Sequence, residues 1–192
     1  MISWRLNRLT EPQVLPVTLE EAKGHLRVDH SDDDGLIETI IEAAAGQING
    51  PYGAGLVLSP QDWELSLDGF PCLIELPLWP VSAIKSIQYT DQAGDIQTLD
   101  PSVYVSDLSS NPARIARDYN KQWPLVRSVL ANVRIEFTAG FDTVPADLKQ
   151  ALLLLIGHWY ENRDAAIIGT IATDTPFAFN AIVDRYRVGA FG

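Results

Sequence analysis

The chain has 192 residues, 46% of them hydrophobic and 20% charged, with a formal net charge of −11. That composition is of an ordinary globular protein, long enough for one real core or two small ones, and it excludes a disordered or fibrous chain. The acidic balance argues against a general nucleic-acid binder, which calls for a basic excess. A lone cysteine, Cys72, excludes an internal disulfide, and its apolar setting in GFPCLIELPLW predicts a small core residue rather than a nucleophile. No charged stretch followed by a long apolar segment opens the chain, so no secretory signal is expected. The longest apolar run, ALLLLIG at 151–157, is too short to span a bilayer.

In PVTLEEAKGHLRV (16–28), Thr18 and Glu21 have the spacing of a capping box, and Leu19, Ala22 and Leu26 share one face of a short helix. VDHSDDDGLIETI (28–40) then sets four aspartates, a histidine and a glycine before an apolar run. A calcium loop of the EF-hand type needs oxygen ligands at positions 1, 3 and 5, glycine at 6 and glutamate at 12. With Gly35 at position 6, Asp32 and Asp34 fall at 3 and 5, but His30 falls at 1 and Ile41 at 12. Both ends of the cage are missing. Three histidines (His25, His30, His158) and one cysteine are poor material for zinc. The helical reading fits better, because Leu36, Ile37, Ile40, Ile41, Ala44, Ala45 and Ile48 repeat at i, i+3, i+4, i+7. Asp32, Asp33 and Asp34 therefore read first as a cluster capping a helix over 35–48. NGPYGAG (49–55) ends that helix, and it lacks the Lys-Ser/Thr and the preceding strand of a phosphate loop.

From about 57 to 140 the period becomes two. Trp63, Leu65 and Leu67 alternate with polar residues, then CLIELPL, AIKSIQYT, VYVSDL and NVRIEFTAG follow between turn residues, and TDQAGDIQTL reads as a hairpin. Helical spacing returns in TVPADLKQALLLLIGHWYENRD, where Pro145 suits the first turn and Leu148, Leu152, Leu155, Ile156 and Trp159 face one way. His158 has no carboxylate or cysteine partner in view and reads as packing or a surface hydrogen bond. After the weakly polar connection 164–175, PFAFNAIVDRYRVG closes the chain as a short helix ending in Arg185, Tyr186 and Arg187.

The fold class expected is α+β. A small helical bundle (a helical hairpin, a long C-terminal helix and a short terminal helix, 16–50 and 144–188) carries an inserted block of about six short, mostly antiparallel strands at about 56–140, as a single domain over 1–192. Charge is unevenly placed. Residues 17–48 hold eight acids against Lys23 and Arg27, whereas 114–134 hold Arg114, Arg117, Lys121, Arg127 and Arg134 against Asp118 alone, with Tyr119 and Trp123 between them. That basic segment is either a solvated loop beside a strand or a surface for DNA or an acidic neighbour. The asymmetry suits a protein that docks against copies of itself.

No Gly-x-Ser-x-Gly elbow, His-Glu-x-x-His, Walker loop or dinucleotide fingerprint occurs, and no acid sits in an apolar setting that would raise its pKa. No catalytic, metal or cofactor-binding residue is assigned, no cofactor is expected, and the chain does not read as an enzyme. A metal-dependent enzyme centred on Asp32–Asp34 is the alternative from another class.

An ordered set of segments does carry a resemblance: PVTLEEAKGHLRVD…DDDGLIETIIEAAAGQI, LPLWPVSAIKSIQYTDQAG, YVSDLSSNPARI, WP, VRIEFTAGF…VPADLKQALLLLIGHWYENRD and a terminal DRYR. It resembles the head-to-tail connector, or adaptor, family of long-tailed bacteriophages, prophages and gene transfer agents, in particular the longer members with a β insertion. The likeness spans about 14–187, leaving out 164–175. It implies a structural virion protein with no catalytic site, forming a ring of roughly twelve copies below the portal protein, each subunit with two different complementary faces. Such a ring extends the channel through which genomic DNA passes without sequence recognition, and it offers a docking surface to a stopper or tail-completion protein. The implied location is the neck of the virion, with host cytoplasm during assembly and no membrane. By the same analogy Arg185, Tyr186 and Arg187 reach the portal, the helices form the ring body, and the β block decorates the ring or faces the tail. Asp32, Asp33, Asp34, Arg114 and Arg117 are then candidates for the ring interface, or, for the acids, for a channel wall that repels phosphate. Another neck or tail-completion structural protein would share these features and dock elsewhere.

Overall fold

The computed structural model describes residues 4–51, 53–162 and 176–187. In chain order the elements are β1 (Trp4–Arg8), α1 (Leu19–Leu26), α2 (Asp34–Ile48), β2 (Gln61–Leu67), β3 (Leu73–Leu76), β4 (Val81–Thr90), β5 (Ile96–Thr98), β6 (Tyr104–Asp107), β7 (Ala113–Arg117), β8 (Val133–Ala139), α3 (Ala146–Glu161) and α4 (Phe177–Val183). The α+β class expected from the sequence is the one observed. The chain forms two compact units, Met1–Pro12 with Pro60–Gly140, and Gln13–Ser59 with Phe141–Gly192.

The second unit is helical. At the start of α1 the Thr18 hydroxyl accepts from the Glu21 amide at 3.1 Å while the Glu21 carboxylate accepts from the Thr18 amide at 3.0 Å, the reciprocal box that the spacing predicts. On α2, Ile37, Ile40, Ile41, Ala44, Ala45 and Ile48 are buried, and on α3 Leu148, Ala151, Leu152, Leu155 and Ile156 are. Ala22 of α1 and Phe179 and Val183 of α4 are buried too. Trp159, expected on the buried face of α3, is only half-buried. The turn after α2 needs its glycines: Gly50 and Gly55 take φ of 77° and 76°, and a Cβ on Gly53 would stand 2.7 Å from the Ile48 carbonyl carbon.

The first unit is a strand block. Five antiparallel strands run in the order β1-β2-β8-β4-β5, and three more in the order β3-β7-β6. In the larger sheet Trp63, Leu65 and Leu67 of β2 and Val133, Ile135, Phe137 and Ala139 of β8 are buried, whereas Asp62, Glu64, Arg134 and Glu136 alternate with them on the wetter face. There Lys85 reaches Asp62 at 2.6 Å and Thr138 donates to the same carboxylate at 2.8 Å; the lysine holds the Asp62 pKa below its ordinary value. Ile74, Leu76, Ala113 and Ile115 give the smaller sheet its own buried face. The predicted hairpin at TDQAGDIQTL is the β4–β5 pair, its turn closed by Asp91, whose carboxylate accepts from the amides of Gly94 and Asp95. Two strands escape the sequence reading. β1 pairs with β2 from Trp4 opposite Leu67 to Arg8 opposite Trp63, and β7 (ARIAR), taken there only as part of a basic segment, is the middle strand of the small sheet.

The α2 stripe and the β8 face are the parts that fill each core. Ile41→Ala is expected to cost about 2–5 kcal/mol and Phe137→Ala about 3–5 kcal/mol in urea unfolding, because each leaves a cavity where the side chain was fully enclosed.

Candidate functional site

The aspartates do not act as the capping cluster that the sequence suggests. The helix begins at Asp34 with Asp33 at the N-cap, and no side-chain cap bond forms. Asp33 instead accepts from the Tyr160 hydroxyl of α3 at 2.5 Å, and Asp34 takes Lys23 of α1 at 2.6 Å. Asp32 is left to solvent, with His30 Nδ1 at 4.0 Å. The same helices are tied a third time by Lys149 of α3 on Glu21 of α1 at 2.7 Å. Lys149, followed by the Thr18 amide, holds the Glu21 pKa below its ordinary value. Among the described residues no group of three or more His, Cys, Asp or Glu is placed to hold a metal ion. Of the eight acids in residues 17–48, those that stay exposed and without a described partner are Glu20, Asp29, Glu38 and Glu42, the last two one turn apart on the outer face of α2.

Arg114 and Arg117 do not form one patch. Three positions apart on β7, they point to opposite faces of the small sheet. Arg114 shares a row with Glu75 of β3 and Asp107 of β6, and it bonds Asp107 at 2.8 Å. The guanidinium first, and the Ser109 hydroxyl second, hold the Asp107 carboxyl down at about 2. The neighbouring row on that face is Leu73, Ala116 and Val105, an apolar stripe across three strands. Arg117 turns to the loop that follows, donating to the Lys121 carbonyl at 3.0 Å and to Gln122 at 3.3 Å. The arginines expected to meet another molecule are thus engaged inside their own unit.

The C-terminal residues are latched as well. The Tyr186 hydroxyl lies 2.8 Å from both oxygens of Asp147 in the first turn of α3, and Arg185 reaches the same carboxylate at 3.4 Å. Burial, then the Asp147 carboxylate, raises the Tyr186 pKa. Arg187 pairs with Asp184 at 3.2 Å. Cys72, expected in the core, is exposed just before β3. His158 is half-buried on α3, with Asn162 Nδ2 3.5 Å from Nδ1. Sequence reasoning missed the exposed apolar side chains of the β7–β8 loop: Tyr119 is 86% exposed, Leu125 76% and Leu130 84%. The signal was available in DYNKQWPLVRSVL, where large apolar residues interrupt a polar loop without any period.

The described residues thus show segregated charge and exposed apolar side chains, surface features suited to docking against another protein. The chain belongs to the phage gp6-like head-tail connector protein family, which it matches over residues 16–71 and 124–187. The unmatched stretch, 72–123, holds β3 to β7. Among solved structures, a chain from the virion of a native gene transfer agent particle is 24% identical, with 95% of each chain covered and a TM-score of 0.76. A chain from the neck of an empty particle of that kind, computed with C6 symmetry, is 25% identical over 96% of this chain and 95% of that one, with a TM-score of 0.75. A chain from the neck of the native particle, computed with C12 symmetry, is 23% identical over the same shares, with a TM-score of 0.68. No curated protein matches the chain.

Two expectations follow from the ties. Tyr160→Phe removes a donor to a carboxylate and should destabilise by about 1.5–3 kcal/mol in urea unfolding. The Asp107–Arg114 pair contributes stability above the ordinary carboxyl pKa of 3.8, which is lost as pH falls through about 2. In Arg114→Gln the Asp107 carboxyl should titrate closer to 3.8 by NMR; a midpoint still near 2 would remove the arginine as the cause.

Proposed function

We propose that the chain is a structural subunit of the virion neck. It is a head-tail connector that joins further copies of itself in a ring below the portal protein, extends the DNA channel and presents a docking surface to a stopper or tail-completion protein. One observation carries this reading: the family match covers the helices together with β2 and β8. A chain from a particle neck that shares 25% identity over 96% of this one supports it. The C6 and C12 symmetries of those necks support self-association in a closed ring, an arrangement in which each subunit offers two different faces. The role is one of assembly, not of catalysis. DNA would slide past without sequence recognition, and an acidic channel wall suits that passage. Asp32 is the one of its cluster open to such a role, since Asp33 and Asp34 bind Tyr160 and Lys23. Arg117, which precedes the β7–β8 loop and holds the Lys121 carbonyl, serves a ring contact through that loop, and for Arg114 to join it the bond to Asp107 has to be shared or broken. For Arg185, Tyr186 and Arg187 to touch the portal, the hold of Asp147 on Arg185 and Tyr186 has to be shared or broken.

Removing the gene from the particle-producing strain tests the reading. DNA-filled heads without tails are expected in electron micrographs, with tailed particles restored by the gene in trans and with the tagged chain co-purifying with the portal. Normal tailed particles without the gene would overturn it, as would binding to tail components with none to the portal. R114E/R117E should lower the oligomer fraction in native mass spectra of the chain with its portal. An unchanged spectrum would separate these two residues from assembly.

A further inference from the structure

We propose that the loop between β7 and β8, residues 118–132, is one half of the contact between copies, and that it seats on the outer face of α2 of a second copy of this chain. The inference rests on the connector reading and names the surfaces that would build the ring.

The loop carries three of the four large apolar or aromatic side chains that are more than three-quarters exposed among the described residues: Tyr119, Leu125 and Leu130. It is also braced. Trp123 stacks on Phe70 with centroids 4.7 Å apart and planes 9° from parallel, and its indole N–H donates to the Pro71 carbonyl at 2.9 Å. The Arg127 amide donates to Thr90 at 3.1 Å, Val126 bridges to Asp91, and the Asp68 carboxylate accepts from the Ala131 amide at 2.9 Å. Arg117 holds the carbonyl of Lys121. A loop pinned at this many points while its apolar tips stay in water has its ordering cost met before a partner arrives, which favours binding.

Charge selects the occupant. The helical unit holds fourteen Asp and Glu against six Lys and Arg, so a basic surface on a second copy is favoured against it over another acidic one. The longest run of basic excess flanks and enters the loop: Arg114, Arg117, Lys121, Arg127 and Arg134 against Asp118. On α2 the exposed face presents Leu36, Thr39 and Ala43 in one stripe, with Glu38 and Glu42 beside it. Like charges four residues apart weaken a helix, and no cation of the described residues pairs with either glutamate. An apolar residue, two small ones and two unanswered acids match a loop that carries exposed leucines together with basic residues. Loop on helix is a head-to-tail contact, so a pair leaves one loop and one helix face unused, on different copies, and the series can extend and close.

Disulfide trapping tests the assignment even where the contact is weak in isolation. In a C72S background, chains carrying L130C are mixed with chains carrying A43C or T39C and oxidised. The mixture should give covalent dimer that neither chain gives alone, and a chain carrying L130C and A43C together should give a ladder of multimers. Added E38K/E42K should abolish the cross-link and K121E should weaken it, while all variants keep the wild-type urea midpoint. No dimer above the single-chain background with either helix position overturns the proposal, and so does dimer from L130C alone, which would place loop against loop. Failure here with normal complementation in the gene-deletion experiment removes only the docking assignment. Tailed particles without the gene remove the connector reading and leave the cross-link result standing.

Discussion

The helical unit depends on where its acids go. α1 buries a single alanine and α4 only two side chains, so apolar contact alone fixes neither helix. Carboxylates supply what is missing. Glu21 joins α1 to α3 through Lys149, Asp34 joins α2 to α1 through Lys23, Asp33 joins α2 to α3 through Tyr160, and Asp147 joins α3 to α4 through Tyr186. Each pair of the first three helices therefore has its own polar tie, and every tie is partly wet, so its worth lies in fixing geometry more than in bulk stability. A protein this acidic gains from the arrangement twice. The bonded carboxylates set the helices, and those left over set what the surface can bind.

The β unit works by a different constraint. β2 and β8, far apart in the chain, are neighbours at the centre of the larger sheet, and their alternating residues give one apolar face and one charged face. The small sheet adds Ile74 and Ile115 as its inner row and leaves Leu73, Ala116 and Val105 on the outer one. Both of its edges, β3 and β6, are short, as sheet edges usually are when a protein avoids pairing with stray strands.

Local spacing carried most of what the sequence could say. The Thr18–Glu21 box, the α2 stripe and the Asp91 turn each depend on residues within a few positions, and each stands in the structure as expected. Leu36 is the exception within its stripe: it begins the helix at the edge of the buried arc and is 39% exposed. The fates of Asp33 and Asp34 could not be read, because their partners lie 127 and 11 residues away and only tertiary packing brings them near. The same holds for β1, whose partner strand begins more than fifty residues later. The split of Arg114 from Arg117 is different. Three places along an extended strand always means opposite faces, so that separation was legible once ARIAR was seen as a strand rather than as a run of charge.

Leu67 closes β2 directly opposite Val133, the first residue of β8. The chain thus departs and returns across a single strand spacing, ~5 Å. A graft with its two stumps this close places almost no demand on the length or shape of what lies beyond them. The family match follows that seam, stopping at 71 soon after β2 and resuming at 124 before β8. A plain β2–β8 hairpin would satisfy the same junction. The segment between can then be lengthened, trimmed or exchanged while the helices keep their register, which is how a body of fixed geometry can acquire a new outer surface.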